Sequence, residues 1–208
     1  MDSLTKILSA SIELFTQYGF KTITMDDIAR RAGISKKTLY QHFANKQEIV
    51  NEAVVRHKNA ACEQCNIVMQ SSENAIEAMV QMLAFMDKMN KQINPMALLE
   101  MQRYYPEAYA IFRSQLETND VGMIRENIIW GMEDGLYRPE INTDLMARYR
   151  LETSLLILQP NLLVSQRSDL MSVALEIGEH FLYGIMTPRG EKQYIKFKEK
   201  YLKQAAAI

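Results

Sequence analysis

The sequence predicts an all-α fold, and three observations lead to this prediction. Apolar residues recur every three or four positions along most of the chain, which is the spacing of one face of a helix. No segment shows the sustained alternation of apolar and polar residues that a half-buried strand requires. Proline (5 residues) and glycine (8 residues) are scarce among the 208 residues, so we expect few and short connections between helices.

The first two helices are indicated by local signals. Residues 3–18 carry an apolar stripe that a glycine closes. A second, short helix begins at Met25, because Thr24 followed by Asp27 three residues later has the form of an N-cap. Gly33 ends this helix, since glycine can take the left-handed backbone conformation of a sharp helix exit.

A third helix is predicted over residues 36–42, with Ser35 as its N-cap. Leu39 and Phe43 lie four residues apart and should face inward. Two short helices joined by a glycine turn make a helix-turn-helix, whose second helix has the right width to enter the DNA major groove.

The outer surface of this third helix keeps hydrogen-bond donors and no carboxylate. Free N–H groups and ammonium groups at a helix N-terminus attract phosphates, although a basic helix can also be a plain solvated face. We expect Lys36, Lys37 and Gln41 to reach base edges and Tyr40 and His42 to hold phosphates. The DNA-contacting set predicted from this helix is Ser35, Lys36, Lys37, Thr38, Tyr40, Gln41 and His42.

A fourth helix should begin at Lys46, where Asn45 and Glu48 form a capping box. It continues without a breaker to about Met69, which is long enough to leave the N-terminal domain. The helices before it should share a buried core that includes Phe15, Ile28, Leu39 and Phe43.

Charge is distributed unevenly although the chain carries a net charge of only −1. Residues 1–58 have a net charge of +3, and the remainder has −4. This bias is too small for strong non-specific binding, so affinity for DNA must rest on a few placed contacts and on dimerisation. We expect a cytoplasmic protein, because no stretch approaches eighteen consecutive apolar residues and no export signal is evident.

Residues 4–54 resemble the DNA-binding domain of the tetracycline-repressor (TetR-like) family of bacterial regulators. The resemblance lies in TITMDDIARRAGISKKTLYQHFANKQEIV, and its most specific part is LYQHF followed by NKQE. It implies a helix-turn-helix domain over residues 1–48 and a helical ligand-binding and dimerisation domain over residues 49–208. It also implies that the Thr24 hydroxyl and the Lys46 ammonium contact DNA phosphates.

The middle of the chain should hold shorter helices. Asn94 and Pro95 are expected to cap and open a helix that ends near Arg103. A long helical region over residues 106–135 should follow, with a break near residues 118–119.

Two long apolar helices are predicted over residues 143–164 and 168–186. They carry more apolar side chains than one core needs, so the excess should be buried between subunits. In TetR-like proteins such helices pair with their copies, and the resemblance implies a homodimer through these segments. Residues 189–203 are expected to form an extra exposed helix whose lysines are a solvated face.

Methionine is frequent, with 14 residues, and several methionines cluster with aromatic residues. Thioethers and aromatic rings repack around varied ligands, so such a set could line an apolar pocket. Helical spacing makes plain core the default interpretation for any single residue of the set, and the charged members could lie at the surface. The candidate ligand-binding residues are Phe85, Met86, Met89, Arg103, Tyr105, Tyr109 and Trp130.

Cys62 and Cys65 lie on one face of the fourth helix. His57 precedes Cys62 by five residues. They could bind a metal or sense oxidation, but a mid-helix position does not favour the thiolate and a tetrahedral site needs a fourth ligand. Two reduced thiols are the preferred interpretation, and no metal site is expected.

These observations predict a one-component transcriptional regulator, a repressor, that binds a pseudo-palindromic operator in double-stranded DNA as a homodimer. A small apolar or aromatic effector in the C-terminal domain would release it. The alternative is a helix-turn-helix regulator controlled by a protein partner, without a small-molecule effector, which a large extra apolar patch would favour. No enzyme activity, cofactor or membrane association is expected, since no phosphate loop or nucleophile arrangement stands out.

Overall fold

The computed structural model describes residues 2–90, 93–94, 96–156 and 170–202. These residues are α-helical apart from short connections, and the predicted all-α class is confirmed. The chain divides into two compact units, Met1–Ala61 with Gln92–Gln115, and Cys62–Lys91 with Leu116–Ile208. Within the described ranges, no helix is both long and apolar enough to cross a membrane.

The described helices follow one another with short connections. They are α1 (Ser3–Tyr18), α2 (Met25–Ala32), α3 (Lys36–His42), α4 (Lys46–Ser71), α5 (Ala75–Asn90), α6 (Ala97–Tyr104), α7 (Pro106–Gln115), α8 (Val121–Glu133), α9 (Thr143–Leu155), α10 (Leu170–Ile185) and α11 (Pro188–Tyr201), with a π-helical turn (Leu116–Asp120) between α7 and α8.

The predicted bounds of α1, α2 and α3 are confirmed because their caps form as the sequence indicates. The Thr24 hydroxyl accepts a hydrogen bond from the Asp27 N–H at 3.2 Å, and an Asp27 carboxylate oxygen accepts from the Thr24 N–H at 3.0 Å. Gly33 ends α2 with φ +65° and ψ 37°, in the left-handed region. The Ser35 hydroxyl accepts from the Thr38 N–H at 3.0 Å and caps α3.

The start of α4 differs in detail from a capping box. Asn45 Oδ1 accepts from the Glu48 N–H at 3.1 Å, as predicted. The Glu48 carboxylate, however, accepts from the N–H of Ala44 at 2.8 Å, one residue before the N-cap. The helix starts at Lys46 as predicted, and it ends at Ser71, two residues beyond the predicted end.

The core of the first unit contains the four predicted residues. Phe15, Ile28, Leu39 and Phe43 are all buried, and truncating one of these aromatic rings costs roughly 3–5 kcal/mol. Residues of α6 and α7 join this core through side chains such as Met101.

The connection after α1 is tied to α6. The N–H of Lys21 donates to Glu100 Oε2 at 2.9 Å, and the N–H of Asn94 donates to the carbonyl of Thr16 at 2.7 Å. The helix-turn-helix and α6 are therefore parts of one packed unit.

The expected start of α6 was wrong by two residues. This helix begins at Ala97, because the Asn94 side chain accepts from the N–H of Met96 at 2.9 Å and holds a turn before the helix. Pro95 lies outside the described residues. The expected break near residues 118–119 is confirmed as the π-helical turn between α7 and α8, where the helical hydrogen-bond spacing widens.

The second unit is organised around α5, which contacts α8, α10 and α11. The buried amide of Asn127 donates to the carbonyl of Ala75 at 2.8 Å, and the hydroxyl of buried Tyr137 lies 3.2 Å from Asn127 Oδ1. Burial raises the pKa of Tyr137. Gly131 lies against the Tyr137 ring, and a Cβ at this glycine would overlap the ring.

The described part of the two predicted apolar helices is α9 and α10, and residues 157–169 fall outside the described ranges. Leu151, Phe181 and Leu182 are buried within the subunit itself. These three side chains are therefore part of the subunit's own core, not the surplus that the sequence suggested for a dimer interface.

The expected extra helix forms at Pro188–Tyr201, but the expectation that it is exposed was wrong. α11 packs against α5 and buries Tyr194 and Phe197, which lie three residues apart on one face. Three of its lysines, Lys196, Lys198 and Lys200, pair with Glu73, Glu179 and Glu77 respectively.

Glu77 is held by several donors although it is buried. Burial would raise the pKa of its carboxyl, but hydrogen bonds from the Tyr201 hydroxyl at 2.6 Å, the Glu73 N–H at 2.7 Å and the Lys200 ammonium at 3.1 Å outweigh burial and lower it. Lys200 and Tyr201 thus anchor the end of α11 to Glu77 of α5.

Candidate nucleic-acid interface

The outer face of α3 displays three polar side chains at helical spacing. Lys37, Tyr40 and Gln41 are exposed, and no hydrogen bond or ion pair from their side chains is present among the described residues. Positions i, i+3 and i+4 lie on one side of a helix, so these three side chains share a face. Leu39 is fully buried on the opposite side and fixes the orientation of α3 on the core.

Lys36 is placed differently from its neighbour. Its ammonium lies 2.5 Å from an Asp26 carboxylate oxygen in the first turn of α2, and both side chains are largely exposed. Sequence reasoning missed this pair, because it depends on the angle between α2 and α3. Lys36 thus presents a partly compensated charge, whereas Lys37 presents a full one.

The remaining hydroxyl candidates have partners within the domain. The Thr24 hydroxyl donates to Asp27 Oδ2 at 2.6 Å, and hydrogen bonds from the hydroxyl and the N–H of Thr24 lower the pKa of the Asp27 carboxyl. The Ser35 hydroxyl caps α3 and lies 2.8 Å from the Thr38 hydroxyl. A phosphate contact from the Thr24 hydroxyl would compete for the proton that it donates to Asp27, whereas the Ser35 cap uses its hydroxyl only as an acceptor.

His42, at the end of α3, lies beside the start of α1. Its Nε2 is 2.6 Å from the Ser3 hydroxyl, and both groups are exposed. This pair links the end of the recognition helix to the first turn of α1.

Lys46 is directed into the domain. Its ammonium donates to the carbonyl of Phe20 and lies 5.9 Å from the centre of the Phe15 ring and 5.4 Å from that of Tyr105. A phosphate contact from Lys46 therefore requires the side chain to leave this carbonyl and the two rings.

The ligand-binding candidates are divided between the two units. Arg103, Tyr105 and Tyr109 belong to the first unit, whereas the second unit holds the other four, Phe85, Met86, Met89 and Trp130. Phe85, Met89 and Trp130 are half-buried, and Met86 is exposed.

The three candidates of the first unit have structural neighbours there. Exposed Arg103 lies 5.6 Å from the centre of the Tyr104 ring. The Tyr105 ring lies 6.0 Å from that of Phe20, and Tyr109 packs against the buried core of the same unit. These contacts give the three residues a packing role whether or not they meet a ligand.

The two cysteines are half-buried and form no disulfide. In the part of the chain that the structure describes, no three His, Cys, Asp or Glu side chains are grouped to hold a metal ion. His57 is half-buried upstream of Cys62, and burial followed by the nearby Lys58 charge lowers its pKa.

Comparison with known proteins identifies the N-terminal helices. The family model for bacterial regulatory proteins of the tetR family matches residues 7–53, which span α1 to the first turns of α4. Residues 7–53 are a helix-turn-helix domain of the TetR family. The residues that carry the resemblance are those that form the capped α2, the glycine turn and α3.

Similarity to named regulators extends beyond the helix-turn-helix. The transcriptional regulator YhgD of Bacillus subtilis is 28% identical over 133 residues, which are 64% of this chain and 62% of YhgD. The transcriptional repressor KstR2 of Mycobacterium tuberculosis is 23% identical over 72% of this chain and 76% of its own. The matched segment thus spans less than two thirds of the length of YhgD.

Solved structures share the fold. FadR from Bacillus subtilis, a transcriptional regulator crystallised in complex with stearoyl-CoA, aligns with a TM-score of 0.69 at 17% identity. The alignment covers 88% of this chain and 99% of that chain. At this identity the likeness is one of fold.

Proposed function

We propose that this chain is a one-component transcriptional repressor that binds an operator in double-stranded DNA through α3. The observation that carries the proposal is the shared exposed face of Lys37, Tyr40 and Gln41, which keeps its donors available while Leu39 anchors the helix. Lysine and glutamine can read base edges in the major groove, and a tyrosine hydroxyl can hold a phosphate.

The repressor acts as a homodimer in this proposal, since two recognition helices are needed for a pseudo-palindromic site. Leu145, Tyr149 and Leu156 support a dimer surface on α9. They are 59%, 47% and 40% exposed, and their spacing of four and seven residues places them on one stripe. Burial of this stripe against a second copy would remove apolar surface from water, as an isologous interface allows.

A small-molecule effector controls DNA binding in this proposal. Phe85, Met86, Met89 and Trp130 of the second unit are its candidate contacts, and FadR, which shares the fold, binds an acyl-CoA. An effector acts only if it binds better to the conformation that cannot hold DNA.

The helix that can carry the change is α4, which begins in the helix-turn-helix unit and ends in the other. At its first residue, Lys46 is bound to the Phe20 carbonyl and the Tyr105 ring. A displacement of α4 would therefore move groups that position α2 and α3. The fit to DNA is sensitive to such a shift, because the half-sites are about 34–36 Å apart or a multiple of that distance.

The experiment is selection of bound fragments from random duplex DNA by the purified protein. We expect enrichment of one inverted repeat whose half-sites are separated by one or two helical turns. The variant Lys37→Ala should enrich sites with a relaxed preference at one base pair of each half-site. Enrichment of no sequence at all would refute the proposal.

A further inference from the structure

The peptide between Phe20 and Lys21, in the connection from α1 to α2, is held by two side chains of opposite charge. Its carbonyl accepts a hydrogen bond from the Lys46 ammonium at the start of α4. Its N–H donates to Glu100 Oε2 on α6 at 2.9 Å. The carbonyl and the N–H of a trans peptide point in opposite directions, so α4 and α6 reach this one peptide from opposite sides. We call this arrangement, from Lys46 through the Phe20–Lys21 peptide to Glu100, the peptide clamp.

Both hydrogen bonds of the peptide clamp involve a charged group. The ammonium meets the negative end of the peptide dipole and the carboxylate meets its positive end, which is the favourable orientation for both charges. Hydrogen bonds to ionised groups are roughly twice as strong as those between neutral groups. Two charged side chains thus fix a main-chain group that belongs to no helix.

Further contacts bring α6 close to the same connection. Gly19 has no side chain where the Glu100 carboxylate packs, and a Cβ at this glycine would lie 2.5 Å from Glu100 Oε2. The Lys21 ammonium lies 5.5 Å from the centre of the Tyr104 ring on α6. The entry to α2 is therefore held by α4 and α6 in addition to its covalent connection to α1.

The peptide clamp joins the helix-turn-helix to helices that continue into the second unit. Lys21 lies three residues before Thr24, the N-cap of α2, and α2 is joined to α3 by the turn at Gly33. The segment Gln92–Gln115, which carries α6, is connected at both ends to the second unit, and α4 also continues into it. A shift of α4 or α6 would therefore act on the entry to α2 through this one peptide.

We propose that Glu100 and Lys46 are positioning residues for operator recognition, which clamp the Phe20–Lys21 peptide and so fix how α2 and α3 are presented to DNA. The assignment rests on the proposed function and deepens it. It gives Lys46 a role through a main-chain carbonyl instead of a phosphate. It also makes a carboxylate favourable for binding a polyanion, whereas simple electrostatics predicts that removing a negative charge strengthens DNA binding.

The first measurement reads the peptide clamp without DNA. Hydrogen exchange of the Lys21 amide is followed by NMR in the full chain with isotope-labelled lysine. Glu100→Ala should accelerate this exchange at least about tenfold, because the N–H loses its acceptor. Glu100→Gln should keep the slow exchange, because its side-chain amide oxygen still accepts. The amide of Lys58, inside α4, should exchange at the wild-type rate in both variants and shows that the unit stays folded.

The second measurement is the affinity of the same variants for the selected inverted repeat, by fluorescence anisotropy. Glu100→Ala should bind at least about tenfold more weakly than the wild type, although it removes a negative charge. Glu100→Gln should bind at least as tightly as the wild type, because it keeps the hydrogen bond and also removes the charge. Glu107→Ala is the matched control: it removes an exposed carboxylate from α7 in the same unit and should not weaken binding.

Lys46→Met distinguishes a peptide contact from a phosphate contact. It removes the donor and keeps an apolar side chain beside the Phe15 and Tyr105 rings. The peptide clamp predicts weaker operator binding with an unchanged salt slope, whereas a lost phosphate contact would reduce the slope by about 2 for the dimer. The double variant Glu100→Ala/Lys46→Met should lose less affinity than the sum of the two single losses, because both single variants release the same peptide.

Four results would overturn the proposal. They are an unchanged exchange rate of the Lys21 amide in Glu100→Ala, faster exchange of Lys58 as well in that variant, operator binding by Glu100→Ala at the wild-type affinity or above, and a salt slope reduced by about 2 in Lys46→Met. Failure of the proposed function would look different, because the wild type would then bind no sequence selectively while the exchange of Lys21 still depended on Glu100.

Discussion

Lys37→Ala is the substitution that most sharply separates base reading from general attraction to DNA. The Lys37 side chain is exposed and has no polar partner among the described residues, so its loss should change the free energy of unfolding by less than about 0.5 kcal/mol. A lost base contact costs about 1–3 kcal/mol per half-site, which is roughly a 5- to 150-fold loss of discrimination. A dimer loses this amount twice.

The neighbouring residue supplies an internal comparison. Lys36 is already partly neutralised by Asp26 at 2.5 Å, so Lys36→Ala should weaken binding less than Lys37→Ala. Asp26→Asn should strengthen binding, because it frees the Lys36 ammonium and removes a negative charge near the phosphates. The order of affinities should therefore be Asp26→Asn, wild type, Lys36→Ala and Lys37→Ala.

The assay is fluorescence anisotropy of the selected operator and of its single-base variants at several salt concentrations. Lys192→Ala, which removes an exposed lysine of α11 in the other unit, is the control and should match the wild type. If Lys37→Ala weakens every duplex equally and reduces the salt slope by about 2 for the dimer, Lys37 is a phosphate contact and the base-reading assignment is wrong. Unchanged binding would remove α3 from the interface altogether.

Three further predictions concern packing, assembly and control. Gly131→Ala should destabilise the fold by about 1–3 kcal/mol in urea denaturation, because its Cβ would overlap the buried Tyr137 ring. Gly122→Ala on the same helix has open space and should be neutral or stabilising. Equal urea midpoints for the two variants would contradict this packing. Leu145→Glu should yield monomers by light scattering with poor operator affinity, and Ile195→Glu, at an exposed apolar position on α11, should remain dimeric. A monomeric wild type at micromolar concentration would refute the dimer. The effector should change Trp130 fluorescence and bind more weakly when operator is present, by the same factor by which it weakens operator binding; equal affinities with and without DNA would mean that this site is not the switch.

The helix-turn-helix was predictable because its signals are local. The N-caps at Thr24 and Ser35 and the glycine exit at Gly33 depend on residues within four positions of each other, and each forms as the sequence indicates. The burial of Leu39 and Phe43 follows from their spacing on a short helix. Such features do not depend on the packing of distant segments.

Features that depend on distant residues were not predictable in the same way. Tyr194 and Phe197 of α11 are spaced as a buried stripe, but five lysines around them made a solvated helix the simpler interpretation. The partner of Lys200 is Glu77, more than a hundred residues away in sequence.

The direction of Lys46 illustrates a limit of family resemblance. The sequence places a lysine where TetR-like proteins have one that contacts a phosphate, and the structure directs this ammonium to the Phe20 carbonyl. The Phe20 carbonyl and the two aromatic rings beside Lys46 give its ammonium a binding site within the domain, in addition to a phosphate of DNA.

Specific recognition of an inverted-repeat operator by two copies of α3 is tested most directly by comparing two duplexes of equal length and composition. One carries the selected inverted repeat and the other a scrambled sequence, and both are titrated with the full chain at physiological salt. We predict that two chains bind each operator duplex, with an affinity at least about a thousandfold above that for the scrambled duplex. Equal affinity for the two duplexes would contradict operator recognition.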